Sequence, residues 1–151
     1  MGAKHRLQVA GGIYHVTARG NAQAEIFLDE FDYLAFLRIL ASQVSRSGWL
    51  CHSFCLIPNH YHGAVLLKDD AHLIEVCRYI ALNPVRAGLA STPAEWPWSS
   101  YGALAGLREA PIFLQLDVVR SLLGGASGYR DFVADGVITR QRPGRSRTAA
   151  R

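Results

Sequence analysis

Two apolar runs joined by only two residues limit what this chain can fold into more than any other feature. Trp49-Leu-Cys-His-Ser-Phe-Cys-Leu-Ile57 and His60-Tyr-His-Gly-Ala-Val-Leu-Leu67 flank Pro58-Asn59, which leaves room for nothing but a tight reversal. The spacing predicts an antiparallel hairpin, although Pro-Asn is not the dipeptide that primed hairpin turns favour. Alternation along a strand sends His60 and His62 to one face and Tyr61 to the other. Two imidazoles on one face suggest a metal site, but a strand histidine is also often a satisfied polar residue, and the pair alone leaves both open.

The elements around the hairpin follow from their periods. Ile13-Tyr-His-Val-Thr-Ala-Arg19, after Gly11-Gly12, predicts a first strand that Gly20-Asn21 ends. From Asp29 the period becomes helical: Phe31, Leu34, Leu37 or Arg38, Leu40 or Ala41, and Val44 recur along one stripe. Asp29, Glu30 and Asp32 lie at the end the helix dipole favours, and Ser47-Gly48 closes the helix. After the Lys68-Asp69-Asp70 turn, Asp70 is the expected N-cap of a helix over 71–82 that Pro84 stops. Residues 112–123 and 127–135 predict two short helices separated by Gly124-Gly125. This order implies an α+β fold, a small antiparallel sheet with flanking helices.

Composition narrows the class. At 151 residues and 50% hydrophobic content, the chain is sized for a soluble globular protein with one ordinary core. It has no apolar run of about eighteen residues, and its first residues lack the apolar stretch of a secretory signal, so the expected location is the cytoplasm with no membrane partner. The three cysteines, Cys51, Cys55 and Cys77, show neither even pairing nor C-x-x-C spacing and read as buried thiols. Cys51 and Cys55 would share a strand face, ~13 Å apart and too far to hold one tetrahedral metal. The net charge of +4 is local: Arg140, Arg142, Arg145, Arg147 and Arg151 fall in the last twelve residues, and residues 1–139 carry 11 basic and 12 acidic groups. Such a Pro/Gly/Arg tail is expected to be disordered, either attracting phosphate non-specifically or serving as a solubilising end.

The helix after the hairpin carries Tyr79 and, four residues on, Asn83, which places both on one helical face. Arg78 and Arg86 bracket that tyrosine and could meet phosphates, although solvated helix charges are equally common. Trp96, Trp98 and Tyr101 could stack on unpaired bases, or form a packing cluster that docks the C-terminal helices, the more frequent use of such residues.

Five ordered stretches resemble the HUH single-strand endonucleases, and among them the REP-associated tyrosine transposases of bacteria. They are Gly11-Gly-Ile-Tyr-His-Val-Thr-Ala-Arg-Gly-Asn21, the helix start at Phe27, Asp29 and Asp32-Tyr33, Pro58-Asn-His-Tyr-His62, Arg78-Tyr-Ile-Ala-Leu-Asn-Pro-Val-Arg-Ala-Gly88, and Pro97-Trp-Ser-Ser-Tyr101. The resemblance implies that His60 and His62 hold Mg²⁺ or Mn²⁺, with Asn83 as an amide-type third ligand. It implies that Tyr79 is the nucleophile and that Arg19 and Asn21 lie near the DNA-contacting edge, where a structural turn is the alternative. The implied partner is single-stranded DNA with hairpin-forming repeats. The implied reaction cuts and rejoins it through a 5′-phosphotyrosine, which conserves the energy of the broken phosphodiester for rejoining. A free phenol is a poor nucleophile at neutral pH, so a nearby cation has a clear role.

Relatives in this family usually place several dozen residues between the histidine pair and the tyrosine helix, whereas sixteen lie between His62 and Tyr79 here. The expected core is therefore a ferredoxin-like HUH fold lacking one strand and one helix. The expected organisation is a transposase-like domain over 1–110, a helical extension over 111–139 and a tail over 140–151. The third strand travels ~17 Å beyond His62, and a helix packed back along the sheet returns ~14 Å by Tyr79. Tyrosine and histidines thus reach the same height; the side of the sheet the helix takes, action in cis or in trans, and monomer or homodimer stay open. Two functions follow: an active transposase-like endonuclease, or an inactive remnant that only binds DNA hairpins.

Overall fold

The structure, a computed structural model, describes residues 14–65 and 70–138. Strand β1 (Tyr14–Arg19) leads through a short loop to helix α1 (Glu30–Ser47), followed by the hairpin β2 (Cys51–Ile57) and β3 (His60–Val65). Helices α2 (Asp70–Ala81), α3 (Asn83–Arg86), α4 (Tyr101–Leu104), α5 (Asp117–Leu123) and α6 (Ala126–Ile138) complete it. The strands form one antiparallel three-stranded sheet in the order β1-β3-β2. This is the expected α+β architecture. The end of the third run at 66–67, the turn before α2 and the arginine tail lie outside the described residues, as does the side chain of Asp70, the expected cap.

The hairpin forms as the spacing predicts, with Ile57 opposite His60. Neither Pro58 nor Asn59 has a positive φ, so the link is not a primed turn. It is held from outside instead: Pro58 O accepts from the amides of Ile26 (2.7 Å) and Phe27 (3.0 Å), and Asn59 O from Gly20 N (2.9 Å). Gly20 is required at this approach, because a Cβ there would lie 2.1 Å from Ala24 O.

Helix α1 is bounded as expected. Asp29 Oδ1 accepts from Asp32 N (3.1 Å) while Asp32 Oδ2 accepts from Leu28 N (2.8 Å), and Gly48 ends the helix in the left-handed region at φ 67°. Its core-facing stripe differs from the one predicted. Tyr33, Phe36, Leu37, Leu40 and Val44 pack against Phe54, Leu56 and Tyr61, whereas Phe31 is 80% exposed and Leu34 faces outward. The chain holds two overlapping apolar stripes here, and the aromatic stack of Phe27 on Tyr33 and Tyr33 on Trp98, each 4.6 Å between centroids, selects the second.

Every residue of β2 is buried. Its outer edge is covered by the segment after α3, where Leu56 N donates to Trp98 O (2.8 Å), Ser100 N to Phe54 O (2.9 Å), and the Trp96 indole N–H to Leu56 O (2.8 Å). Tyr101 packs against Tyr129 of α6. The anticipated single cluster against the C-terminal helices does not form: only Tyr101 meets them, while Trp98 stacks on Tyr33 of α1 and Trp96 packs on the α2 side of the sheet, and the segment closes an edge strand that would otherwise be open to other chains. A bulge between Cys51 and Ser53 shifts the register, and this corrects the expectation that Cys51 and Cys55 share a face. Cys51 lies in the α1-side cluster and Cys55 in the α2-side cluster.

Helix α2 crosses the sheet face that carries the histidines. Val76 and Ile80 pack on Cys55, Ile57 and Ala64, and a second stripe, Leu73, Cys77 and Ala81, packs against Val119 of α5 and Tyr129 and Val133 of α6. Residues 117–138 therefore share a core with α2. Pro84 ends α2 as expected, yet the chain turns into α3 rather than a loop, with Pro84 in its first turn, where a missing N–H costs little.

Candidate active site and nucleic-acid interface

Register and parity build the site. Arg19 pairs with His60, Thr17 with His62, and His15 with Ala64, so His15, Thr17, Arg19, His60 and His62 share the face that α2 covers. The tyrosine helix therefore crosses on the histidine side. The Tyr79 ring stands edge-on to His62, centroids 5.6 Å apart, and to His15 at 5.7 Å, while His60 and His62 are 4.8 Å apart. Tyr79 is 43% exposed, leaving its ring open to a ligand from solvent.

Hydrogen bonding around the imidazoles is one-sided. Asn59 Oδ1 lies 2.7 Å from His60 Nδ1, and His15 Nε2 lies 3.0 Å from His62 Nδ1. His62 Nε2 and Asn83 Nδ2 are buried with no protein partner. A buried polar atom without a partner costs about 1–3 kcal/mol, and His52 Nδ1 and the Tyr129 hydroxyl, away from this face, are unpartnered in the same way. Burial holds the His62 pKa down at about 4, with further lowering by His60, His15 and Arg19. His60 is lowered by burial and Arg19, against a hydrogen bond to Asn83 that raises it, and His15 by burial and His72. The lowering favours the neutral form of all three rings, the state in which imidazole offers a lone pair.

The remaining expected site residues divide. Arg19 is exposed at the end of β1 beside the imidazoles, and Asn21 is exposed just beyond it. Arg86 lies over the Tyr79 ring at 5.0 Å and donates to Tyr79 O at 3.3 Å, beside the expected nucleophile. Arg78 faces the other way: it bonds Glu75 at 2.6 Å and lies 4.3 Å over the Phe132 ring of α6. Two participants were not singled out from sequence, His15 and Asn59. His15 shares strand parity with Arg19, and Asn59 adjoins the histidine pair, but only the folded contacts assign them to the site.

Among the described residues no three His, Cys, Asp or Glu side chains gather as a ligand set. The side chains that would hold a cation here are His60, His62 and Asn83; Asn83 hydrogen-bonds His60, and its Nδ2, like His62 Nε2, is buried without a protein partner. A separate cleft at the far end of α1 is lined mainly by apolar side chains, Val44, Trp49, Leu50, Ile112 and Phe113, with Ser45 and Gln115 as its polar groups.

The fold is a small three-stranded antiparallel sheet with helix α2 laid over the face that carries His60 and His62. A solved structure of a REP-associated tyrosine transposase bound to a REP hairpin matches this chain with a TM-score of 0.57 at 17% identity, covering 78% of this chain and 93% of that one. At that identity the likeness establishes the fold. No family model and no curated protein matches the chain. No helix among the described residues is long and apolar enough to cross a membrane.

Proposed function

We propose that this chain is a transposase-like DNA-binding protein that cuts and rejoins single-stranded DNA at hairpin-forming repeats, with Tyr79 as nucleophile. The observation that carries this is the convergence of Tyr79, His60 and His62 on one sheet face within one chain. The fold shared with a transposase bound to a DNA hairpin supports the choice of substrate.

In the proposed reaction the Tyr79 oxygen forms a bond to the scissile phosphorus as the 3′ oxygen leaves, giving a 5′-phosphotyrosine and a free 3′-hydroxyl. The phenol loses one proton and the 3′ oxygen gains one, exchanged through solvent at the exposed ring. Arg86, beside that ring, and Arg19, at the end of β1, are placed to hold phosphate oxygens, and Asn21 extends the same edge. Arg78, engaged by Glu75 and Phe132, would have to leave both to join them. His60, His62 and Asn83 would hold Mg²⁺ or Mn²⁺, which when bound supplies Lewis-acid stabilisation of charge developing on the phosphate.

A second function, hairpin binding without cleavage, is favoured by the short stretch of sixteen residues between His62 and Tyr79, where relatives carry several dozen. Incubation with a labelled single-stranded hairpin and Mn²⁺, followed by denaturing electrophoresis, separates the two. A covalent adduct lost in Tyr79→Phe supports the endonuclease. Binding with no adduct under any divalent metal supports the remnant, and an adduct that persists in Tyr79→Phe removes Tyr79 from the mechanism.

A further inference from the structure

Each histidine of the strand pair has its Nδ1 against a protein group. For His60 that group is the Asn59 amide oxygen at 2.7 Å, an acceptor with no proton to give. His60 therefore carries its proton on Nδ1 and keeps its lone pair on Nε2. For His62 the group is another imidazole, His15 Nε2 at 3.0 Å, and that contact permits either direction. If His15 donates, His62 is left with N–H on Nε2, an atom that is buried and has no acceptor. If His15 accepts, His62 Nε2 carries a lone pair, matching His60.

We infer that His15 is a positioning residue which accepts the Nδ1 proton of His62 and so fixes the His62 tautomer with its Nε2 lone pair turned to the metal. This rests on the proposed metal role of His60 and His62 and adds a residue to it. The observations favour acceptance. A buried N–H without a partner is the rarer and costlier orphan, whereas an acceptor position is filled directly by a cation. The rings of His15 and His62 lie within 26° of parallel with centroids 5.1 Å apart, edge to edge as the hydrogen bond requires, which orients the His62 plane as well as its proton. His15 also meets the Tyr79 ring edge-on, so the same side chain sets the distance between nucleophile and ligand. Such outer partners typically contribute 10–100-fold to metal affinity.

Two measurements on the full chain test this. Mn²⁺ binding, followed by electron paramagnetic resonance, should weaken about 10–100-fold in His15→Leu and return to within about threefold of wild type in His15→Gln, whose amide oxygen can accept the same proton. Equal Mn²⁺ affinity in wild type and His15→Leu would overturn the role of His15 while leaving the metal site standing. No Mn²⁺ binding by wild type would instead remove the metal site itself. Nitrogen-15 NMR of the metal-free wild-type chain reads the tautomer without any variant, so a misfolded His15→Leu does not stall the question. A His62 signal with its proton on Nδ1 supports the inference, and a proton on Nε2 overturns it.

Discussion

The Tyr79 ring meets the His62 ring edge to face, with centroids 5.6 Å apart and planes at 86°. Sixteen intervening residues are therefore enough to bring a helical tyrosine to a strand histidine, provided the helix runs back over the same face. Val76 and Ile80 secure that condition by packing on Cys55, Ile57 and Ala64 directly beneath α2.

Because both groups belong to one chain, catalysis should act in cis. Tyr79→Phe removes a hydroxyl from a ring that is 43% exposed and should leave stability within about 0.5 kcal/mol of wild type. Mixing Tyr79→Phe with His62→Ala should yield no covalent DNA adduct above background. Adduct restored by the mixture would mean that tyrosine and histidines come from different protomers.

Acid should destabilise the fold in a window that the imidazoles define. Burial lowers the pKa of His15, His52 and His60 below the ordinary 6.5 and that of His62 to about 4. Between those values the unfolded chain binds more protons than the folded one, so stability is full above about pH 6.5 and falls as pH drops towards 4. Thermal melting followed by circular dichroism at pH 7.5, 6 and 5 should show a falling midpoint, with a shallower fall in His62→Asn. A midpoint that rises on acidification would contradict this.

The three thiols should be silent in the native protein. Cys51, Cys55 and Cys77 are buried, and burial pushes all three pKa values up, those of Cys51 and Cys77 to about 12. The thiolate is the reactive form, so an aromatic disulfide reagent at pH 8 should label none of them until denaturant is added. Rapid labelling of any one in native buffer would show that its cluster opens locally.

Leu56 reports on the covered edge strand β2. It is fully buried between α1 and the covering segment after α3, so Leu56→Ala should cost about 2–5 kcal/mol in urea unfolding. A loss under 1 kcal/mol would mean the neighbouring aromatics collapse into the space.

Removal of residues 140–151 deletes five arginines. If these act on DNA only by charge, affinity should fall and the slope of log K against log salt should flatten, by about 0.7 for each single-strand phosphate that the tail neutralises, with sequence preference unchanged. A changed preference would mean the tail reads bases.

Several features were legible in the sequence because they depend on neighbours in the chain. The two-residue link specified the hairpin, strand parity placed His60 and His62 together, and Asp29 and Gly48 bounded α1, whereas Asn83, expected to continue the face of Tyr79, opens the separate helix α3. Tertiary structure alone decided what those faces meet. Helix α2 carries one apolar stripe for the sheet and another for α5 and α6, and only packing against both assigns Tyr79 to the histidine side. The same holds for α1, where the stack of Tyr33 between Phe27 and Trp98 chose between two overlapping stripes, and for β2, where one extra residue sent Cys51 and Cys55 to opposite faces. His15 and His62 are 47 residues apart, and their contact exists only because β1 pairs with β3. Local periodicity determines which side chains share a face; long-range packing determines which faces meet, and the chemistry of this site lies where they do.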